Sequence, residues 1–207
     1  MENAVIVYIV KNEAKIASHE LLFLMAQDYF KTLGLVLNKN DWQITYNDRG
    51  KPSNIKYPQI HFSISHSGLY WLVAFGHQNL GIDVQLMELK KKNSNDHYLK
   101  LAKRFFNPSE INYLNNSLDI KQSFFQIWCA KESYVKYLGS GISNTFDRFS
   151  CLLDNDALFT VDSKLIKWKV DNIYYYQKII ASNYLFCLAT DNLVDIQFKQ
   201  VDSLKKN

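Results

Sequence analysis

The chain has 207 residues, of which 47% are hydrophobic and 21% charged, and these values exclude a disordered or collagen-like polymer. The longest apolar run, residues 4–10, is far shorter than the roughly 20 residues needed to cross a bilayer. Because the opening Met-Glu-Asn lacks a basic segment, we expect no secretory signal, no membrane partner and a cytoplasmic location.

The cysteines and the net charge exclude further classes of protein. The three cysteines lie far apart and form no Cys-x-x-Cys pair, so we expect buried thiols rather than a zinc ribbon or a disulfide framework. The formal net charge is +4, without a Lys/Arg-rich tract, a zinc-finger pattern or a P-loop. We therefore expect no nucleic-acid partner, although a nucleic-acid binder with salt-sensitive affinity stays an alternative. An anionic small molecule or an acidic protein suits this charge at least as well.

Hydrophobic periodicity predicts the elements in chain order. In the first half it predicts a buried strand at 4–10, an amphipathic helix within 15–37, and strands at 42–46, 60–65, 70–76 and 81–86. In the second half it predicts helices at 97–106, 108–115 and 121–138, followed by short strands at 149–153, 158–161, 166–170, 178–181, 184–190 and 194–200. Strands, a long helix and more strands thus occur twice, which predicts two similar α+β subdomains, 1–95 and 96–207.

A carboxylate on one of the predicted strands is the first candidate functional group. Asp83 lies in the segment Gly-Ile-Asp-Val-Gln, and Gln85, two residues later, faces the same side of the strand. A single Asp on a strand is more often an edge or turn residue, so this pattern alone leaves both interpretations open.

The predicted helix 121–138 carries the second candidate group. Glu132 and Lys136 are four residues apart and share one face, as in an ordinary surface ion pair. This helix is apolar nearly all round, however, so its charged side chains should be partly buried. Buried charges need partners or ions, so a functional role for these residues and an ordinary ion pair are equally supported by this segment.

Serine residues beside a glycine turn form the third candidate group. Ser63, Ser65 and the strand-end His66 offer hydroxyl groups and an imidazole that could hold phosphate or sugar oxygens. The alternative is a serine-rich hairpin with an incidental histidine. A Ser-His-Asp triad fits poorly because the Gly-x-Ser-x-Gly elbow is missing. Lys51, in the turn Gly-Lys-Pro, is a further residue suited to a phosphate.

The order and spacing of these motifs resemble the 4′-phosphopantetheinyl transferases. The motifs are Gly-Lys-Pro at 50–52, Phe-Ser-Ile-Ser-His-Ser at 62–67, Gly-Ile-Asp at 81–83, Phe105-Phe106 with Glu110, and Trp-x-x-Lys-Glu-x-x-x-Lys at 128–136. The matching stretch runs from 50 to 141. It is similar to the larger, monomeric Sfp-type enzymes, which activate peptide and polyketide synthases, rather than to the short trimeric holo-acyl-carrier-protein synthases.

The resemblance implies a fold and an activity. The fold would be a pair of α+β subdomains related by a pseudo-twofold axis, with coenzyme A bound in the cleft between them. The activity would be transfer of the phosphopantetheine arm of coenzyme A to a serine hydroxyl of an apo acyl- or peptidyl-carrier protein, with release of adenosine 3′,5′-bisphosphate. The enzyme would depend on Mg²⁺ and act as a monomer.

The resemblance also implies roles for single residues. Asp83 and Glu132 would hold Mg²⁺, and Glu132 is also the candidate base for the serine. Lys136 would neutralise charge at the diphosphate, and Asp83, Glu132 and Lys136 are the expected catalytic residues. The remaining coenzyme A contacts are expected from basic and hydroxyl side chains: Lys131 at the phosphates nearby, and Lys51, Ser65 and His66 at the 3′-phosphoadenosine end.

Two departures from the family pattern stand out. Many relatives carry an acid where this chain has Gln85, whose neutral amide is a poorer third metal ligand. In the shorter N-terminal region, Lys15 and His19 only loosely resemble the basic segment that contacts the nucleotide. The Gln85 departure favours an alternative, a non-catalytic relative that binds coenzyme A or a carrier protein.

We expect the carrier protein to contact a basic and aromatic surface near the cleft. The candidate residues are Lys100, Lys103, Arg104, Phe105 and Phe106. The alternative for the two phenylalanines is a place in the core.

Overall fold

The computed structural model describes residues 3–88, 95–141, 146–152, 165–202 and 204. The strands of these ranges form two four-stranded sheets and a short hairpin, and the helices pack on the sheets, which confirms the expected α+β class. The expected strand 158–161 and the last residue of 149–153 lie outside the described residues. In the described ranges, no helix is long and apolar enough to cross a membrane.

The first sheet has continuously apolar central strands and is covered by one amphipathic helix. Its strands are β1 (Ala4–Lys11), β4 (His61–Ser67), β5 (Tyr70–Gly76) and β10 (Asp195–Val201), in the spatial order β10-β1-β5-β4. The pair β1 and β10 is parallel, and the other pairs are antiparallel. Helix α1 (Ser18–Thr32) is shorter at both ends than the expected 15–37 and packs its apolar face on this sheet. The separate hairpin consists of β2 (Ile44–Tyr46) and β3 (Pro52–Asn54).

The second sheet is antiparallel throughout and carries the other helices. Its strands are β6 (Leu80–Leu86), β7 (Ile166–Val170), β8 (Ile173–Ala181) and β9 (Tyr184–Thr190), in the order β6-β9-β8-β7. The helices are α2 (Asn95–Phe105), α3 (Pro108–Asn115) and α4 (Ile120–Leu138). Asn107 caps α3, and Gly139 ends α4 at φ 64°, a left-handed angle that favours glycine. Residues 149–152 form no strand, contrary to the expectation.

Strand alternation divides the interior into layers. One face of β1 (Val5, Val7, Ile9) packs against the even-numbered residues of β6 and β9, so a buried core lies between the two sheets. The other faces of the sheets are covered by helices, α1 on the first sheet and α2, α3 and α4 on the second. The odd-numbered residues of β6, which include Asp83, therefore face α4.

The two sheets share one connectivity. In each, a first strand is followed by a long helix and later by an antiparallel pair of strands, and the second strand of that pair lies beside the first strand. These elements are β1, α1, β4 and β5 in one sheet and β6, α4, β8 and β9 in the other, where β7 comes between α4 and β8. Sheet pairing divides the chain differently from the expected boundary at residue 95. Strand β6 precedes that boundary but pairs with β9, and β10 follows it but pairs with β1. The chain therefore passes from the first sheet to the second between β5 and β6, and it returns to the first sheet with β10.

Candidate active site

Asp83 lies at the centre of a buried polar cluster between β6 and α4. Its side chain is 3% exposed. Its Oδ1 accepts hydrogen bonds from the Ser65 hydroxyl and the Lys136 ammonium group, both at 2.8 Å, and its Oδ2 accepts one from Gln85 Nε2 at 2.8 Å. Asp83 and Gln85 thus share a face, as the strand pattern predicts. An ionised carboxylate buried to this extent is stabilised by the ammonium group and by these donors.

Gly81 explains how α4 comes so close to β6. A Cβ atom at this position would overlap the Ser133 carbonyl oxygen and the Tyr137 backbone nitrogen. Since only glycine lacks that atom, the helix backbone can lie directly on the strand. This close approach brings Glu132 and Lys136, which lie on either side of Ser133 along the helix, next to Asp83.

Glu132 is a second buried carboxyl group in this cluster, and its residue is 6% exposed. Burial and then the nearby Asp83 raise the pKa of Glu132 to about 7, while Lys136 opposes the rise. Within the described ranges no hydrogen bond reaches the Glu132 carboxyl group. Two carboxyl groups therefore share one ammonium group, and the cluster can accept further positive charge.

The serines of β4 join the two sheets. Strands β4 and β6 are the edges of their sheets, and the hydroxyl oxygens of Ser63, Ser65 and Ser67 accept hydrogen bonds from the backbone N–H groups of β6 residues Ile82, Val84 and Leu86. The alternating serines thus satisfy donors of a strand edge that would otherwise lie unpaired. This bridging role was not predicted from the sequence, although the serines occupy every second position of the strand.

Ser65 is fully used by the protein and is not available to a phosphate in this arrangement. Its one proton goes to Asp83, and its lone pairs accept from the Val84 N–H group at 3.2 Å and from Lys136 at 3.0 Å. The structure therefore corrects the expectation for Ser65, which orients Asp83 instead of contacting the nucleotide.

His66 lies on the other face of β4. Strand alternation groups it with Phe62 and Ile64, not with the serines, and its side chain is exposed. The structure does not bring His66 to the Asp83 cluster. Its expected contact with the 3′-phosphoadenosine end stays a prediction.

Lys51 reaches the far end of α4. Its ammonium group donates to the Asn79 Oδ1 atom and to the Tyr137 carbonyl oxygen, both at 2.5 Å. Burial without a paired carboxylate lowers the pKa of Lys51 to about 8. Asn79, which also donates to the Tyr137 carbonyl oxygen, is a site residue that was not predicted from the sequence. Lys51 and Asn79 are 28 positions apart, so no local sequence pattern indicates their contact.

Lys131 does not belong to the cleft, which corrects the expectation that it supports the phosphates. Its side chain and that of Glu110 are both 0% exposed and form an ion pair at 2.8 Å. The Lys131 ammonium group also donates to the carbonyl oxygens of Phe146 and Phe149. Glu110 in turn accepts from the backbone N–H groups of Asn107 and Cys151. Every polar atom of this pair has a protein partner, so the pair joins α3, α4 and the segment 146–151.

The predicted docking residues separate into core and surface. Phe106 is 2% exposed and packs in the core, as the alternative held. Phe105 is half-buried with its ring edge-on to Trp128, and the Arg104 guanidinium lies 5.0 Å from the centre of the Phe105 ring. Lys100, Lys103 and Arg104 are exposed. The basic part of the surface thus exists, and its partner stays a prediction.

An open cavity borders the Asp83 cluster, and a second open cavity adjoins the first. The first, of about 310 Å³, is lined by Lys51, Glu132 and Lys136 together with the turn 49–52 and the glycines after α4. The second, of about 890 Å³, extends along the beginning of α1 and shares Tyr46 and Ile64 with the first. The two cavities together form an elongated cleft with Glu132 and Lys136 near one end and His19 near the other.

The Asp83 cluster fits a divalent cation only in part. In the described part of the chain, no group of three or more His, Cys, Asp and Glu side chains is arranged to hold a metal ion. Asp83 and Glu132 offer two carboxylates near one ammonium group, which is bonded to Asp83, whereas Gln85 presents its Nε2 donor. Mg²⁺ commonly takes one or two carboxylates and completes its shell with water and substrate phosphates. The two carboxylates are therefore compatible with Mg²⁺, provided that other oxygens complete the shell.

Comparison with known proteins supports the resemblance. The model of the 4′-phosphopantetheinyl transferase superfamily matches residues 79–189. The chain is 35% identical over 128 residues to the 4′-phosphopantetheinyl transferase Sfp of Bacillus subtilis, which covers 61% of this chain and 54% of that protein. It is 32% identical over 149 residues to the 4′-phosphopantetheinyl transferase of Aneurinibacillus migulanus, with 70% and 58% covered, and 40% identical over 106 residues to a putative one of Synechocystis, with 49% and 41% covered. The chain spans about half the length of the curated relatives it matches.

Proposed function

Since the chain belongs to the 4′-phosphopantetheinyl transferase superfamily, we propose that it transfers the phosphopantetheine arm of coenzyme A to a serine hydroxyl of a carrier protein. The observation that carries the proposal is the cluster of Asp83, Glu132 and Lys136 beside an open cleft, within the part of the chain that matches the family. The named relatives are themselves described as 4′-phosphopantetheinyl transferases.

In this proposal Asp83 and Glu132 would hold Mg²⁺. When bound, the ion supplies positive charge that stabilises the diphosphate and the departing phosphate. The presence of two carboxyl groups beside a single ammonium group supports this assignment, and the raised pKa of Glu132 reflects its burial and the neighbouring anion. Gln85 would have to turn its amide to present an oxygen, so its contribution to the metal is secondary.

The residues of the cluster would then handle the proton and the charge. The serine oxygen of the carrier forms a bond to the phosphorus that bears pantetheine, and the bond from that phosphorus to the adenosine 3′,5′-bisphosphate oxygen breaks. Glu132 would accept the serine proton as the general base. Lys136, 30% exposed at the edge of the cleft, offers its ammonium group to the phosphate charge.

The nucleotide end of coenzyme A would lie along the elongated cleft. Lys51 lines its first cavity, and we retain Lys51 and the exposed His66 as candidates for the 3′-phosphate. Removing either side chain should weaken coenzyme A more than its 3′-dephospho analogue, by roughly tenfold for one charge-assisted hydrogen bond. An equal loss for both ligands would place these residues elsewhere.

One copy of the chain suffices for this site. Asp83 comes from the second sheet, its orienting Ser65 comes from the first, and Glu132 and Lys136 come from α4. We therefore propose that the enzyme acts as a monomer, with an acyl- or peptidyl-carrier protein of a peptide or polyketide synthase as its partner.

Mass spectrometry of an apo carrier protein incubated with coenzyme A and Mg²⁺ tests the proposal. We expect the carrier to gain one phosphopantetheine mass with the wild-type protein and not with Asp83→Asn. A carrier that stays unmodified while coenzyme A binds would instead support the non-catalytic relative, which the amide at Gln85 favours. A small panel of peptidyl and acyl carriers in the same assay would identify the acceptor.

A further inference from the structure

The Lys136 ammonium group occupies the position where a cation bound to Asp83 would lie. It is 2.8 Å from Asp83 Oδ1 and 3.0 Å from the Ser65 hydroxyl oxygen. The described residues place no other charged donor on Asp83. Lys136 is thus the counter-ion of a carboxylate that is 3% exposed.

The Lys136 side chain, unlike its partner, has room to leave. It is 30% exposed and lines the cavity of about 310 Å³. Lysine has a flexible four-carbon stem, so its ammonium group can swing into the cavity without movement of the helix. Asp83 cannot follow, because Ser65 and Gln85 hold its two oxygens in place.

We propose that Lys136 is an internal substitute for the metal ion, and that a divalent cation bound by Asp83 and Glu132 displaces its ammonium group from Asp83 into the cleft. Two cations on one carboxylate oxygen repel each other, so the ion and Lys136 compete for Asp83. The displaced ammonium group is then available to the phosphates of the substrate. This inference rests on the proposed function, because it uses the same two carboxylates.

A thermodynamic coupling follows from this competition. A ligand that draws Lys136 away from Asp83 raises the affinity of the site for a cation. A cation in the site in turn raises the affinity of Lys136 for an anion. Coupling of this kind is reciprocal. Without metal, Lys136 would neutralise the charge of the buried Asp83. With metal bound, the Lys136 ammonium group would be directed to the substrate.

The first test measures metal binding without any substrate. We expect Lys136→Met to bind Mn²⁺ more tightly than the wild type, by roughly fivefold or more in dissociation constant, a usual size for coupling between sites. The free Mn²⁺ signal in electron paramagnetic resonance gives the dissociation constant directly. Lys136→Arg, which keeps the charge, should not bind Mn²⁺ more tightly than wild type. Equal or weaker Mn²⁺ binding by Lys136→Met would overturn the inference.

Lys199→Met is the matched control. Lys199 pairs with Asp28 at 2.7 Å and is 36% exposed, close to the values for Lys136, but it lies on β10 and outside the cleft. Lys199→Met removes the same charge and a Lys–Asp ion pair, although Asp28 is 48% exposed, so its Mn²⁺ affinity should equal that of the wild type. A gain as large as that of Lys136→Met would show a general charge effect and overturn the competition.

A second measurement on the wild type covers the case that Lys136→Met fails to fold. In a lysine-selective ¹⁵N spectrum, assigned with Lys136→Arg, saturating Mg²⁺ should shift the Lys136 ammonium signal and leave that of Lys131 unchanged. An unmoved Lys136 signal overturns the inference. The carrier assay is independent of both measurements: displacement without carrier modification would overturn the proposed function alone, and modification without displacement the present inference alone.

Discussion

Lys131 and Glu132 are neighbours on α4, yet they belong to two charged clusters with different chemistry. In the first cluster, Lys131 and Glu110 are wholly buried, and every polar atom has a protein partner. In the second, Asp83 and Glu132 share the single ammonium group of Lys136 at the edge of a cavity. Burial of charge is common to both, so burial alone does not identify a functional site. The unbalanced charge beside open space distinguishes the second cluster.

Breaking the closed cluster should have the largest effect of all. Lys131→Met leaves the Glu110 carboxylate buried without its cation, and loss of one partner of a buried pair costs about 3–5 kcal/mol of unfolding free energy. Urea denaturation measures this loss. The double variant Lys131→Met with Glu110→Gln should recover part of it, because no charge is left buried and the amide oxygen still accepts one of the two backbone N–H groups, that of Asn107 or that of Cys151. A single variant as stable as wild type would mean that the pair is not buried in solution.

The open cluster should respond in activity and not in stability. Glu132→Gln keeps the shape of the side chain but could not accept the serine proton in the proposed reaction, so carrier modification should fall by about 100-fold or more. Its unfolding free energy should be no lower than that of the wild type, because the substitution removes a desolvated carboxyl group next to Asp83. Glu13→Gln, which changes an exposed carboxylate, is the control for both measurements. Loss of stability with unchanged transfer would reverse the assignment of the two clusters.

The contact between α4 and β6 can be disturbed without changing any charge. Gly81→Ala would place a methyl group against backbone atoms of Ser133 and Tyr137, and such overpacking costs about 1–3 kcal/mol. We expect lower urea stability together with reduced transfer, because Lys136 and Glu132 move away from Asp83. Gly76→Ala is the matched control, since its new methyl group would meet only side-chain atoms. Similar losses for both variants would show that the helix contact is not the reason for Gly81.

The sequence predicted the parts of the site that follow from local periodicity. Strand alternation placed Asp83 and Gln85 on one face, and the helix repeat placed Glu132 and Lys136 on another. The same rules separate two other residues from this cluster. Lys131 points about 100° away from Glu132 around the helix, and His66 has the parity of Phe62 and Ile64. For Lys131 the resemblance assigned a role that the local geometry does not support, whereas the expected contact of His66 with the nucleotide end stays a prediction.

Non-local pairing explains what the sequence could not predict. No local pattern indicates that β6 leaves the first sheet for β9, or that β10 returns to β1 across the whole chain. The bridging role of the serines depends on this exchange, because it makes β4 and β6 neighbouring edges. The contact between Lys51 and Asn79 depends on it as well, because Asn79 immediately precedes β6.

The smallest expected effect in this comparison concerns Lys51, whose surroundings are intermediate between those of the two clusters. Like Lys131 it is held by protein oxygens, but neither of its two hydrogen-bond acceptors is a carboxylate, and burial lowers its pKa from 10.5 to about 8. From pH 8 to 10.5 the unfolded chain keeps a proton that the folded protein has released, so the unfolding free energy contributed by Lys51 rises with pH in that range. Below pH 8 both states are protonated and the contribution is constant.

The difference in urea stability between wild type and Lys51→Met should therefore be flat from pH 6.5 to 7.5 and increase towards pH 10 in favour of the wild type. Lys56→Met is the control: Asp41 raises the pKa of Lys56, so its contribution should not change below pH 10. Parallel stability curves for wild type and Lys51→Met would mean that the Lys51 ammonium group is solvated in the folded protein.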